Sequence, residues 1–476
     1  MKIIYVLLSI FLTACASDLI QSGSSSSDGE PAASRLLYPY ESSVQCRGCH
    51  AEQYQQYEGS MHANAFSNPL FNAQYFKDIV PRAQRDPALI SEARSCIACH
   101  APAVFMNYSG LVSTPLQASR FEAGVTCDFC HTLAGYAENG DYLQNPSGKK
   151  QGPFQTSGPA THHSEYSGFV QLGEFCGKCH NATNHTGLEV KSTYDEWRES
   201  GYGRRGIACQ ECHMNRNGFL RAGNAEFDRG QAAYMNIGNI SRKQKEYEKL
   251  YSHSFSGAHS VSQLQDALLL DFKVGTRSAD ARGRFPFALT VNNERSGHKM
   301  PSGSSDLRFM WLVVTATAAG GTNIPVLIHR SPAGNAADYS VAGASPDDAA
   351  VLGDDVPAGS RLYRTVLVNA AGRQSLFQYD AVSNAFDNRL AAAEIRKEGY
   401  YLALPAGFSG KVTLDASLYY RGAPSSFTKR MQIPDVAAVL VASQKKQISI
   451  DSGHAPNNDG PGAMPGKNAV PAGRQQ

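Results

Sequence analysis

The sequence repeats one five-residue motif five times, and that repetition constrains the chain more than any other feature. The copies are Cys46-Arg47-Gly48-Cys49-His50, Cys96-Ile97-Ala98-Cys99-His100, Cys127-Asp128-Phe129-Cys130-His131, Cys176-Gly177-Lys178-Cys179-His180 and Cys209-Gln210-Glu211-Cys212-His213. They use ten of the eleven cysteines, and Cys15 stands alone. Cys-x-x-Cys-His is the attachment signature of c-type haem. Two thiols three residues apart add to the two vinyl groups of one porphyrin, and the histidine that follows becomes the proximal iron ligand. Zinc ribbons pair cysteines without requiring histidine after each second one. A redox Cys-x-x-Cys occurs once, and a disulfide framework scatters its cysteines over other spacings. The motifs therefore call for five covalently attached haem c groups.

All five copies lie within 168 residues, Cys46 to His213. At about 34 residues per motif the polypeptide is too sparse for a conventional apolar core, so the porphyrins are expected to form it, close enough to exchange electrons. The 44 basic and 42 acidic side chains give a net charge of +2, which makes no electrostatic case for nucleic acid.

Nine histidines remain after the proximal five: His62, His162, His163, His185, His253, His259, His298, His329 and His454. Met106 and Met214 lie near motifs, but Met214 directly follows a proximal histidine and cannot cap the same iron. Mainly bis-histidine irons are expected. His62 lies twelve residues beyond His50. His162 and His163 follow the turn Gly158-Pro159, and one of the two is expected to ligate. His253 and His259 bracket Phe255-Ser256-Gly257. His298 sits in a loop bounded by Gly and Pro after a strand, suited to pushing an imidazole into a neighbouring domain. His185 is a weaker candidate, His329 reads as a strand or loop residue, and His454 falls in the tail.

The N-terminus reads as an address. Lys2 precedes an apolar run from Ile3 to Leu12, too short to span a bilayer comfortably. Leu12-Thr13-Ala14-Cys15 resembles a bacterial lipobox. Residues 1–14 then form a lipoprotein signal peptide, Cys15 is the lipidation site, and 15–37 is a Ser/Gly/Pro-rich tether. The resemblance to Gram-negative lipoproteins implies, through Ala16 rather than Asp after the cysteine, sorting to the outer membrane, and export suits the maturation of c-type haem.

Past about Asp266 the cysteines vanish and period-two patterns appear, as at Phe287, Leu289 and Val291; Phe309 to Thr317 is a nearly continuous apolar run, and Leu362 to Val368, Tyr400 to Leu404 and Val412 to Leu418 follow. Gly, Pro and Asn/Asp turns separate them, which suggests an antiparallel β-sandwich. No nucleophile elbow, phosphate loop or metal cluster is written there. Asp387-Asn388-Arg389 reads as a turn with a charge pair and no chemistry. The expected fold is α+β and multidomain: a mostly helical or irregular pentahaem module over 38–264, a β-sandwich over 265–450 and a disordered tail over 451–476.

Four blocks carry a family resemblance. The first motif runs into Ser60-Met61-His62-Ala63, and Gly124-Val125-Thr126 precedes the third. Thr193-Tyr194-Asp195-Glu196-Trp197-Arg198-Glu199-Ser200 leads into the fifth motif and Met214. The last block is Gly297-His298-Lys299-Met300-Pro301-Ser302-Gly303. Over roughly residues 40 to 305 the chain resembles multihaem c-type cytochromes related to the tetrahaem cytochrome that accepts electrons from hydroxylamine oxidoreductase. The resemblance implies electron transfer, with His62 ligating a haem other than its own. The chain departs from that family in its fifth motif and C-terminal region. Thr193 and Glu196 also read as a capping box, with Thr193 as N-cap.

The leading function is a lipid-anchored pentahaem electron carrier, without catalytic residues, working between redox-partner proteins at the bacterial outer membrane. One alternative is an oxidoreductase with one open haem acting on a small nitrogen or sulfur compound, although no Cys-x-x-Cys-Lys motif is present. Another is a subunit of an extracellular haem conduit or filament.

Overall fold

The structure, a computed structural model, describes residues 39–145, 149–155, 162–216, 224–233, 236–237, 240–241, 246–329 and 338–452. Residues 1–14, Cys15, the tether and His454 lie outside the described residues, as does 453–476. Among the described residues no helix is long and apolar enough to cross a membrane.

The first half is built of short helices and two-stranded ribbons. Four motifs lie in the helices Ile90–His100, Cys127–Thr132, Glu174–His180 and Cys209–His213. In the first motif Cys46 closes the helix Ser43–Cys46, and its carbonyl still accepts from the Cys49 and His50 amides, at 3.2 and 2.8 Å. A helical turn suits the motif because positions i, i+3 and i+4 share one face, so both thiols and the imidazole project the same way. Thr126 starts its helix as N-cap, its hydroxyl accepting from the Phe129 amide at 3.3 Å.

The second half is a β-sandwich. Its strands are β1 (Leu269–Lys273), β2 (Arg284–Asn292), β3 (Phe309–Ala318), β4 (Asn323–Ile324), β5 (Val326–Ile328), β6 (Arg361–Asn369), β7 (Ala381–Asp387), β8 (Ile395–Ala403), β9 (Gly410–Arg421) and β10 (Val439–Ile450). One antiparallel sheet runs β1-β2-β8-β5, and the other runs β7-β6-β3-β9-β10 with β4 beside β3. Every second side chain turns inward. Phe272, Phe285 and Leu289 from one sheet share a buried cluster with Met310, Leu312, Leu414 and Leu418 from the other.

The sparse haem segment was expected to have no apolar core of its own. Around the second motif it has one, and the β-half supplies much of it. Phe71, Tyr75, Ile79, Ile97 and Val104 are buried against Leu307, Phe377, Tyr379, Phe427 and Met431. Arg82 reinforces this seam with two contacts to Asp380 at 2.6 and 3.0 Å, and Lys77 donates to the Met431 carbonyl at 2.7 Å. The described residues all belong to one compact unit.

Candidate haem-binding cavity

All ten motif cysteines and all five proximal histidines line one connected cavity of about 1120 Å³, together with His62, His162, His253, His259 and His298. Four proximal rings each face a second imidazole. The ring centroids are 6.1 Å apart for His50 and His162, 6.2 Å for His131 and His253, and 6.3 Å for both His180–His62 and His213–His298. Two metal–imidazole bonds of about 2 Å each, plus the half-width of each ring, occupy that span. Three pairs are near parallel, at 26°, 20° and 11°, whereas His62 and His180 cross at 73°.

The ring nitrogens are sorted for ligation. Nδ1 of His50 lies 2.8 Å from the Ala232 carbonyl, and Nδ1 of His100 lies 2.8 Å from that of Ala65. His131 and His213 reach the Gln151 and Ser256 carbonyls at 2.6 Å. His253 and His298 do the same to Tyr251 at 3.0 Å and Lys299 at 2.8 Å. A carbonyl can only accept, so each Nδ1 carries its proton and Nε2 keeps a free lone pair. Burial holds these rings neutral, pushing His62, His100 and His253 down to about 4 and His180 to about 3. The cysteine and histidine donors fit covalently held haem c, and the space between facing rings is that of a metal centre held by two imidazoles at four of the motifs.

His100 differs from the others. The ring against it is Phe71, stacked at 4.0 Å and 12°, and among the described residues no imidazole faces it. His259 lines the cavity but is paired with none of the five proximal rings. His163 is exposed beside His162. His185 turns to Glu92, its amide donating at 2.7 Å and its Nδ1 lying 3.5 Å from the same carboxylate. His329 sits at the end of β5 against Tyr401.

The sequence matches the family model for cytochrome c554 and c-prime over residues 45–132. This segment is similar to the cytochrome c554/c-prime domain. A penta-heme cytochrome c552 from Thermochromatium tepidum has a similar fold, with a TM-score of 0.57 and 21% identity over 86% of this chain and 99% of that chain. The AvmM macrocyclisation catalyst of alchivemycin A biosynthesis and a PapD-like domain of human CEP192 reach TM-scores of only 0.18 and 0.16. Their identities are 10% and 11%, over 40% and 47% of this chain and 93% and 99% of theirs. No curated protein matches the sequence. The chain is a multihaem c-type cytochrome in which a helical haem region precedes antiparallel sheets. The c554-type segment contributes three of the five motifs and His62.

The loop carrying His298 is held by residues that the motif pattern does not mark. Thr193 is not the N-cap of its helix; Ser192 is, and Thr193–Arg198 is helical. The expected capping box fails because tertiary partners take both of its side chains. The Thr193 hydroxyl contacts Ser302 at 2.7 Å and accepts from the Gly303 amide at 3.2 Å. Glu196 accepts from the Lys299 amide and the Ser302 hydroxyl, both at 3.1 Å, and pairs with Arg389 at 2.8 Å. Arg389 also bonds Asp387 through Nε and Nη2 at 3.0 Å, and Asp387 takes Lys299 at 2.9 Å. Burial works against the Asp387 carboxylate, yet Arg389 and Lys299 hold it down to about 2. The stretch Asp387–Arg389, read as an idle turn, is the hub that fixes the His298 loop.

Proposed function

We propose that the chain is a pentahaem electron carrier in which four irons are held between two imidazoles and one is left open. The four imidazole pairs at 6.1 to 6.3 Å support this reading most directly. His50 and His162 would serve the first motif, His131 and His253 the third, His180 and His62 the fourth, and His213 and His298 the fifth. Haem c supplies reversible one-electron chemistry when bound. The chain keeps the ligands neutral, excludes water and sets which sites are neighbours. The Cys46 thiol lies within hydrogen-bond reach of Cys127, Cys99 of Cys179, and Cys176 of Cys209. Motifs one and three therefore abut, as do two and four, and four and five. Phe255 bridges the distal ligands of the third and fourth sites, 5.7 Å from His253 and 4.3 Å from His62. The fourth site is then the junction of the wire.

Thioether links survive denaturation, so mass spectrometry of the mature, unfolded chain should find five haems. Four or fewer from a host competent in haem attachment would defeat the proposal.

A second reading, an oxidoreductase acting at the open iron, is favoured by the single observation that His100 faces no imidazole. Magnetic circular dichroism should count four low-spin irons to one high-spin iron. Five low-spin irons would remove this reading together with the open second site, and would leave the electron-transfer role itself standing.

The lipid anchor, the outer-membrane site and the redox-partner proteins belong to the same proposal. They are supported by the sequence Leu12-Thr13-Ala14-Cys15. Cys15→Ser should move the protein to the soluble fraction with its haem content unchanged. Retention in salt-washed membranes would sink the anchor.

A further inference from the structure

At one end of the sandwich the cavity wall carries a fixed cation. Arg308 stands just before β3, where Phe309 pairs with Arg421 and Met310 with Tyr420. Carried back one residue, that register sets Arg308 opposite Gly422, so Arg308, Met310, Tyr420 and Gly422 share one face. Gly422 leaves open the space beside Arg308, and a Cβ there would lie 3.9 Å from the Tyr420 hydroxyl. Arg308, Tyr420, Gly422 and His259 all line the cavity. The guanidinium is held in place: Nη1 donates to the Ser302 carbonyl at 2.6 Å and lies across Gly303, where any Cβ would collide with it. Among the described residues nothing bonds its Nε or Nη2, the Tyr420 hydroxyl or the ring nitrogens of His259. Burial pushes the Tyr420 phenol up, so it keeps its proton for donation.

The charge here is not balanced from within. Buried Asp306 answers both Lys191 and Arg308 electrostatically, yet forms an ion pair with neither. One carboxylate against two cations leaves a positive charge over, and a half-buried cation without a counter-ion is costly. The position of that charge is specific. The proton affinity of His180 is lowered by burial, then by the His62 and His213 rings, Lys191 and Arg308. Arg308 has no such effect on His100 or His213. Burial and then Arg308 also keep His259 neutral, down to about 4, so its ring offers one N–H.

We propose that Arg308, Tyr420 and His259 form a carboxylate cradle, and that the carboxylate is a propionate of the haem at the fourth motif. The inference rests on the pentahaem reading and on the His62–His180 pair. The guanidinium supplies charge and a fork, Nε with Nη2, that suits a carboxylate. The phenol and the imidazole each supply a further donor. The β-sandwich thereby holds a haem to which it contributes no ligand. A cation fixed beside a haem favours the state with one more electron, so the cradle raises the potential of the fourth site and draws electrons to the junction of the wire.

The test is a redox titration of the purified holoprotein followed by electron paramagnetic resonance. The crossed planes of His62 and His180, at 73°, give the fourth ferric iron a low-spin signal apart from those of the near-parallel pairs. Arg308→Met should disfavour reduction of that iron about tenfold, the size of one charge-assisted hydrogen bond, which is about 59 mV for one electron. Arg308→Lys should keep most of the potential, and Tyr420→Phe should lower it by less than Arg308→Met does. The other haems should keep their potentials. Retained haem content and low-spin signals would show that the variants are folded. An unchanged potential at the crossed-plane iron in Arg308→Met, or a fall at a different haem, would overturn the inference. So would a fall seen only with added phosphate or acetate, which would make the cradle a site for a free anion. A wild-type protein without the crossed-plane signal would remove the His62–His180 ligation itself, and the assignment of the cradle with it.

Discussion

Replacing His298 with alanine should convert one low-spin iron to high spin, changing the ratio from four to one into three to two. The expectation follows from the His213–His298 pair, whose rings are 6.3 Å apart and within 11° of parallel. Without that imidazole the fifth iron has a vacant or water-filled position, and carbon monoxide should bind two haems rather than one. His298→Met should keep six-coordination and raise the potential of one haem, because thioether ligation favours the ferrous state. Spin counting and a redox titration check both variants. Unchanged spin and potentials in both would reduce His298 to a loop residue and reopen the search at His259 or His185.

Arg389→Met should destabilise the protein by about 3–5 kcal/mol, the usual cost of stranding one half of a buried ion pair. Glu196 and Arg389 are each 5% exposed, and Asp387 loses the same partner. The double variant Glu196→Gln/Arg389→Met should recover part of that loss, because no buried carboxylate is then left without a partner: Asp387 keeps Lys299. Denaturant unfolding followed in the far ultraviolet measures the difference. The fifth haem should also become heterogeneous in potential as the His298 loop loosens, while the first keeps its value. A change below about 1 kcal/mol would mean that the pair behaves like an exposed one.

The five Cys-x-x-Cys-His motifs were legible because covalent chemistry writes its spacing into consecutive residues. The sandwich strands were legible because burial on one face writes period two and burial on both writes an apolar run, and β2, β3, β6, β8 and β9 fall where those patterns placed them. Partner choice was not written in this way. Nothing local separates His162, which faces His50, from exposed His163, and His62 finds a motif more than a hundred residues downstream. Glu196 had a sound local use as a helix-start acceptor, but a buried guanidinium almost two hundred residues away competes better for it. The shared core around Phe71 and Phe427 was illegible for the same reason, since each half shows only part of an apolar surface.

The facing pairs also run in a direction along the chain. His62 precedes His180, so the fourth site meets its partner already made. The first, third and fifth sites each wait for a histidine that comes later: His162, His253 and His298. A polypeptide emerging N-terminus first would therefore close its irons out of motif order, the fourth at once and the fifth only after β2 has appeared. Until then each waiting iron is accessible to dioxygen and peroxide. A chain cut short before His298 would still hold all ten thiols, yet its fifth site could never close. Under the proposed ligation, the length of chain still to be delivered to the site of haem attachment sets how long each iron remains reactive.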